Sequence, residues 1–181
     1  MRNLPIRKHP RLKRYDYSSN GAYFITFCVK DGHETLGEIV GRDALGAPCP
    51  HRNIPYIQLS EYGSALQKEI EDTHLYYDNI FVDKFVVMPN HVHLIIMIKH
   101  NQNAVDEDGA PRASRPTNML IPNFIAILKK KTNRIYGFDM WQRSYHDHII
   151  RNESDYQRIW QYIDQNPLRW EEDCYYTKQE A

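Results

Sequence analysis

The chain has 181 residues, of which 41% are hydrophobic, and this is enough for one domain, residues 1–181, with a sizeable core. Its 23 basic and 23 acidic residues balance, so net charge alone predicts no polyanionic partner. Its three cysteines are too few and too widely spaced for a disulfide framework, and no stretch is long and apolar enough for a membrane span, so we expect a cytoplasmic protein with no membrane partner.

Basic side chains crowd the start of the chain. The first fourteen residues contain no acid, and Arg2 is the first of six basic residues there. Such a patch suits a phosphate backbone, so residues 1–15 are predicted to form a DNA-binding arm, although a solvated tail fits the same charge pattern. The candidate DNA contacts in this arm are Arg7, Lys8, Arg11, Lys13 and Arg14.

The first predicted elements are a strand, a small hairpin and a helix. Ala22–Val29 is rich in β-branched and aromatic residues and predicts a core strand. Thr35–Val40 and Tyr56–Leu59 are shorter extended segments that predict the hairpin. Ser60–Tyr77 carries apolar residues at helical spacing, and Ser60 is a candidate N-cap.

Two longer apolar runs follow, Ile80–Met88 and Val92–Lys99, and they predict neighbouring strands joined at Pro89-Asn90. Residues 100–117 are polar, contain prolines and show no apolar period, which predicts a mobile linker.

A second helix is predicted over residues 121–136, and Gly137 is expected to end it. Its apolar residues, Ile135 among them, are expected to face inward. Its basic residues are expected to face outward as a second candidate DNA-binding patch, although a solvated helix face fits them equally well. This patch consists of Lys129, Lys130, Lys131 and Arg134.

Trp141–Ile150 predicts the last strand, and a final helix is predicted from Asn152, a candidate N-cap, to Asn166. Pro167 is expected to end that helix, which leaves residues 167–181 as a tail. Without the hairpin the order is βαββαβ followed by a helix. This order predicts an α+β fold, a ferredoxin-like antiparallel sheet with helices on one face and an appended C-terminal helix.

Two histidines stand where the second apolar run begins. Side chains two residues apart on a strand share a face, so His91 and His93 point the same way and form half of a metal site. Tyr162 and Asn166 are four residues apart and share a face of the final helix. If that face lies over the histidines, Asn166 adds an amide oxygen, and the donor set suits Mg²⁺ or Mn²⁺.

Tyr162 would bring a hydroxyl to such a site, where it would attack a phosphodiester and hold the phosphoryl group covalently. Ionising a tyrosine of pKa ~10 at neutral pH costs roughly 4 kcal/mol, so a nearby cation or base must assist. His148 and the lysines at positions 129–131 are candidate supporting groups, and the sequence does not choose between them. Tyr145, in an extended segment, is a competing nucleophile.

The sequence resembles a known family at several positions in the expected order. Pro89-Asn90-His91-Val92-His93 looks like the HUH motif, histidine-apolar-histidine, of single-tyrosine transposases of the insertion-sequence type. Other segments resemble their relatives, the REP-associated tyrosine transposases, and the resemblance extends from about Arg14 to Trp170. Those segments are Tyr15–Ser18, Gly21–Thr26, Trp141–Arg143, Tyr145–Asn152, Tyr162-Ile163 and Asn166-Pro167.

The resemblance implies an HUH endonuclease and strand transferase that needs a divalent metal and forms a 5′-phosphotyrosine intermediate. Its implied substrate is single-stranded DNA with the hairpins of repetitive palindromic elements. His91 and His93 match the family's metal ligands, Tyr162 matches the nucleophile, and Asn166 matches the third ligand, where insertion-sequence enzymes carry glutamine. Those enzymes work as dimers that exchange the tyrosine helix, whereas the tail after Pro167 would let this chain act alone, so the sequence leaves both a monomer and a homodimer open.

Two other functions fit the same residues. One is a DNA-hairpin-binding regulator that has kept the fold and lost catalysis. The other is a metal-dependent phosphodiesterase or RNA-directed nuclease in which water is the attacking group. The presence of His91, His93 and Tyr162 together favours the transposase-like interpretation.

Overall fold

The computed structural model describes residues 15–41, 55–100 and 119–176. Within these ranges four strands form the main sheet and two form a separate hairpin sheet. The strands are β1 (Gly21–Cys28), β2 (Gly37–Val40), β3 (Tyr56–Leu59), β4 (Ile80–Val87), β5 (His91–Ile98) and β6 (His146–Ile150). The α-helices are α1 (Glu61–Glu71), α2 (Leu120–Tyr136) and α3 (Glu153–Gln165).

The main sheet has the strand order β4-β5-β1-β6, and every neighbouring pair is antiparallel. This is the order of a ferredoxin-like βαββαβ sheet, because β2 and β3 form the small hairpin outside it. Strands β1 and β5 pair along their whole lengths, from Gly21 opposite Ile98 to Cys28 opposite His91. The α+β prediction is confirmed.

Alternation along the strands divides the core into two layers. One face of β1 carries Tyr23, Ile25 and Phe27, which pack with residues of α1 and α2. The other face carries Phe24, which packs in the cluster that contains Ile159 and Ile163 of α3. Helices α1 and α2 therefore cover one face, as predicted, and the appended α3 covers the other.

Capping contacts confirm the predicted starts of α1 and α3 and the predicted end of α2, whereas α1 ends at Glu71 and continues only as a 3₁₀ helix over Asp72–Leu75, short of the predicted end at Tyr77. The side chain of Ser60 accepts a hydrogen bond from the backbone N–H of Gly63, and Asn152 accepts one from Asp155 in the same way. Gly137 ends α2 with a left-handed φ of 79°, a conformation that costs glycine little because it has no Cβ.

The last strand is shorter than predicted, since it begins at His146 and the residue at Trp141 makes only an isolated bridge. The reason lies in a side chain of α2. The Nζ of Lys129 donates hydrogen bonds to the carbonyls of Gln142 and Ser144, at 2.8 and 2.9 Å. The hydrogen bonds from Lys129 therefore satisfy these two carbonyls, which do not need to pair with a neighbouring strand.

Two helix predictions also need correction. Ile135 on α2 is 55% exposed, so it does not face the core. Helix α3 ends at Gln165, and the chain continues as a 3₁₀ helix over Asn166–Glu172 with Pro167 near its start. Proline has no N–H for an α-helical hydrogen bond, so the chain tightens there instead of stopping.

None of the α-helices within the described residues is both long and apolar enough to cross a membrane. Residues 1–14 of the predicted arm, 101–117 of the predicted linker and 177–181 of the predicted tail lie outside the described residues. The predictions made for them stay predictions.

Candidate metal and nucleophile site

The two histidines of β5 lie on the face of the sheet that α3 covers. His91 and His93 are buried, and their Nε2 atoms are 2.9 Å apart. Two nitrogens that bind one octahedral Mg²⁺-sized ion at adjacent positions would lie about 3 Å apart. The pair therefore has the separation that a shared metal ion requires.

Hydrogen bonds on the far side of each ring direct the Nε2 atoms inward. Nδ1 of His91 lies 2.8 Å from Oδ1 of Asn90, and Nδ1 of His93 lies 2.7 Å from Oγ1 of Thr26. The amide nitrogen of Asn90 donates to two carbonyls, so its oxygen is the acceptor and His91 carries its proton on Nδ1. This tautomer leaves the lone pair on Nε2, where a metal would bind.

Both imidazoles are neutral at pH 7. Burial lowers the pKa of His91 to about 4, and the nearby negative charge of Asp173 only partly opposes this shift. Burial, followed by the charge of His91, holds the pKa of His93 well below its usual range. Since a metal competes with protons for imidazole nitrogen, the pair is in its binding form at physiological pH.

Tyr162 lies over this pair. Its hydroxyl oxygen is 3.2 Å from Nε2 of His93, and the hydroxyl donates a hydrogen bond of 2.9 Å to Oδ2 of Asp173. The ring packs edge-on against Phe24, and the side chain stays 40% exposed. Burial raises the pKa of the phenol, and the negative charge of Asp173 raises it further.

Asn166 is buried at the end of α3, one turn after Tyr162. Its Nδ2 donates a hydrogen bond of 2.6 Å to Oδ2 of Asp173, whereas its Oδ1 has no hydrogen-bond partner. A buried amide oxygen without a partner costs free energy unless something binds it. An amide oxygen of this kind is a donor that a hard divalent cation accepts as a ligand.

Asp173 is the residue that the sequence interpretation missed. Its carboxylate, Nε2 or Nδ1 of His91 and the corresponding nitrogen of His93 all lie within 4.8 Å of one another. It follows the 3₁₀ helix Asn166–Glu172 and sits next to two other acids, Glu171 and Glu172. Nothing in the sequence distinguishes it from these neighbours, because its position depends on how the chain turns after Pro167.

A shallow, open cleft of about 120 Å³ lies beside the tyrosine. Its walls combine a cation, two amides and two carboxylates with the phenol. The lining residues are Tyr162, Gln165, Asn166, Arg169, Glu172 and Asp173.

The competing and supporting candidates lie elsewhere. Tyr145 is 6% exposed and belongs to the core on the α1 and α2 face, across the sheet from the histidines. His148 is on the α3 face, opposite Phe24 of β1, and its Nε2 lies 2.7 Å from Oδ2 of Asp155. Tyr145 is therefore separated from Tyr162 by the sheet, and His148 is paired with Asp155.

The second basic patch also lies across the sheet, because α2 packs on the face opposite α3. Lys129 is engaged with backbone carbonyls, and Lys131 forms an ion pair of 2.8 Å with Glu69. Lys130 and Arg134 are exposed. Positions 129–131 therefore lie on the face of the sheet opposite Tyr162. The arm residues Arg7, Lys8, Arg11, Lys13 and Arg14 lie outside the described residues.

No protein-family model matches the chain. An uncharacterized protein from Haemophilus influenzae is 32% identical over 183 residues, and the match covers 94% of this chain and 93% of that protein. A second protein of the same organism, described as a "Putative REP-associated tyrosine transposase", is 22% identical over 158 residues, covering 86% of this chain and 75% of that protein.

A solved structure of a REP-associated tyrosine transposase bound to a REP hairpin superposes with a TM-score of 0.54. The two chains are 20% identical, and the match covers 88% of this chain and 73% of that one. At this identity the likeness shows that the fold is shared.

Proposed function

We propose that the chain is a REP-associated tyrosine transposase, a DNA-processing protein, and that it cleaves and rejoins single-stranded DNA at hairpin-forming repeats. Tyr162 is the proposed nucleophile, and the proposed intermediate is a 5′-phosphotyrosine. His91, His93 and Asn166 are the proposed metal ligands.

One observation carries this proposal, the position of the Tyr162 hydroxyl 3.2 Å from Nε2 of His93. The residues concerned are 69 positions apart in the sequence, and one chain brings them together. A tyrosine that only filled the core would not need to keep its hydroxyl beside two neutral imidazoles and an open cleft.

In the proposed step the Tyr162 oxygen attacks phosphorus, and the bond from phosphorus to the 3′ oxygen breaks. The phenol loses its proton and the departing 3′ oxygen gains one, which leaves a free 3′ hydroxyl and a 5′-phosphotyrosine. Attack of another 3′ hydroxyl on the phosphotyrosine reverses the step and joins two strands. The exposed part of Tyr162 faces the cleft from which a strand would approach.

The protein alone opposes ionisation of this tyrosine, because burial and Asp173 both raise the phenol's pKa. A bound Mg²⁺ or Mn²⁺ would supply the positive charge that stabilises the transferring phosphoryl group. Two imidazoles favour Mn²⁺ in affinity, whereas Mg²⁺ is more abundant in cells. Until a metal binds, the hydroxyl stays protonated and hydrogen-bonded to Asp173.

Hairpin DNA is the proposed partner, because the related solved structure holds a REP hairpin. The predicted arm, residues 1–15, would supply phosphate contacts through its basic side chains. Arg169 lines the cleft beside Tyr162 and would contact the strand at the site of cleavage. Since one chain supplies all the proposed catalytic groups, a monomer would be able to act without exchanging its tyrosine helix.

The test uses labelled single-stranded DNA that carries a palindromic repeat from the genome encoding the chain. The full-length protein is incubated with this DNA and Mn²⁺ or Mg²⁺, then separated under denaturing conditions. We expect a labelled protein–DNA adduct that Tyr162→Phe abolishes, because phenylalanine keeps the ring packing against Phe24 and loses only the hydroxyl. Tyr156→Phe is the matched control, since Tyr156 lies on the same helix and hydrogen-bonds to Asp83 away from the histidines.

The outcome separates the candidate functions. An adduct that persists in Tyr162→Phe contradicts the proposed nucleophile. Binding of the hairpin with neither adduct nor cleavage indicates the non-catalytic regulator. Cleavage without any adduct, leaving a free phosphate end, indicates that water is the attacking group.

A further inference from the structure

The chain that follows α3 turns back over the histidine pair. The rings of Trp170 and Tyr175 lie against His91, with centroids 5.7 and 4.6 Å from its ring. Between them, Asp173 places Oδ2 at 2.9 Å from the Tyr162 hydroxyl and 2.6 Å from Nδ2 of Asn166. This segment thus brings a carboxylate to the point where the other polar groups meet.

We propose that Asp173 is a fourth protein ligand of the metal, an inference that rests on the metal site of the proposed function. The other proposed ligands, His91, His93 and Asn166, carry no charge in their binding forms. Mg²⁺ and Mn²⁺ prefer oxygen donors, carboxylates above all. Asp173 would give the site its negative charge and leave two of six octahedral positions for water or phosphate.

The distances suit this assignment. Ligands on opposite sides of an octahedral Mg²⁺ ion lie about 4.2 Å apart. The ligand atoms of His91, His93 and Asp173 all lie within 4.8 Å of one another. These separations are compatible with three ligands around one ion.

The carboxylate is also held in place by its neighbours. Its Oδ1 accepts a hydrogen bond of 2.8 Å from the backbone N–H of Tyr175, and the N–H of Asp173 donates to the carbonyl of Trp170 at 3.0 Å. Asn166 donates to the other oxygen. Carboxylates that bind metals are usually oriented by such outer hydrogen bonds.

The proposal has a structural consequence. The metal would connect the start of β5, the end of α3 and the segment after it. Metal binding should therefore stabilise the chain against unfolding, and Asp173 should account for part of that gain.

The test measures Mn²⁺ binding to the full-length protein, by the electron paramagnetic resonance signal of free Mn²⁺ and by the metal-induced rise in Tm. Asp173→Asn removes the charge and keeps the size of the side chain, with one oxygen that can still accept the hydrogen bond from the backbone N–H of Tyr175. We expect it to raise the Kd for Mn²⁺ at least tenfold and to reduce the rise in Tm. Glu171→Gln is the matched control, because Glu171 is an exposed acid of the same segment that is not among the residues lining the cleft, and we expect its Kd to stay within twofold of wild type.

His91→Ala separates this proposal from the proposed metal site. If His91→Ala abolishes Mn²⁺ binding while Asp173→Asn binds within twofold of wild type, Asp173 is not a ligand and the metal site stands. If His91→Ala also binds like wild type, the site itself is wrong and the inference with it. Should Asp173→Asn fail to fold in EDTA, Asp173→Ser is measured by the same criteria.

Discussion

Asn90 connects three parts of the chain at the histidine pair, and its replacement by alanine is the most informative single change outside the proposed ligands. The side chain is 2% exposed. Its Nδ2 donates to the carbonyls of Gly32 at 3.2 Å and Tyr175 at 2.9 Å, and its Oδ1 lies 2.8 Å from Nδ1 of His91. It therefore joins the turn after β1, the start of β5 and the segment that carries Asp173.

The expected cost follows from these three contacts. A typical hydrogen bond contributes about 0.5–1.5 kcal/mol net, so Asn90→Ala should lower the free energy of unfolding by about 2–4 kcal/mol. The same change frees the His91 ring to turn and to change tautomer. Loss of such an outer hydrogen bond typically weakens metal binding by about 10–100-fold.

Urea unfolding in EDTA measures the first effect, and Mn²⁺ titration measures the second. Asn90→Asp distinguishes the roles of the two ends of the amide, because it keeps an acceptor for His91 and loses both donated bonds. We expect it to lose stability and to retain more metal affinity than Asn90→Ala does. The reasoning is refuted if Asn90→Ala unfolds within 0.5 kcal/mol of wild type and binds Mn²⁺ with unchanged Kd.

Two further predictions concern α3 and pH. Asn152→Ala removes the N-cap of α3 and should lower the free energy of unfolding in urea by about 1 kcal/mol. Asn152→Ser keeps a capping oxygen and should retain most of that stability. If Asn152→Ala were as stable as wild type, Asn152 would not stabilise the helix as a cap. Burial lowers the pKa of His91 from 6.5 to about 4 in the folded protein. Between these two pH values His91 is protonated in the unfolded chain and neutral in the folded one. The free energy of unfolding of the metal-free protein should therefore decrease as the pH falls from 6.5 to 4. His91→Gln should reduce that fall, whereas the exposed His74→Gln should not.

The fold was predictable because its elements have strong local signals. The apolar runs of β1 and β5, the caps at Ser60 and Asn152 and the left-handed Gly137 all act over a few residues. The strand prediction at Trp141 was wrong because the side chain of Lys129 satisfies the carbonyls that an extended segment leaves open. Such a contact joins two elements and leaves no periodic trace in the sequence.

The candidate site, like the fold, was predictable from local spacing and not from contacts between elements. Spacing alone placed His91 with His93 and Tyr162 with Asn166, since each pair shares one element. Spacing did not predict Asn90 as the partner of the His91 ring, because Pro89-Asn90 also explains a turn. It did not predict Asp173, which reaches the site only because the chain continues past Pro167 as a 3₁₀ helix.

The sheet also limits where DNA can lie. Tyr162 is on the α3 face, whereas the lysines at positions 129–131 are on the α2 face. Under the proposed function, cations that meet a strand at the nucleophile would lie on the α3 face, where Arg158 and Arg169 are exposed and Lys84 of β4 pairs with Asp164. Each of the two arginines is paired at the surface with a carboxylate, Asp155 or Glu172, and surface ion pairs of this kind contribute about 0–1 kcal/mol. A phosphate would replace either carboxylate at little cost, so among the described residues we expect these two arginines to be better placed than the α2 lysines to contact a single strand at Tyr162.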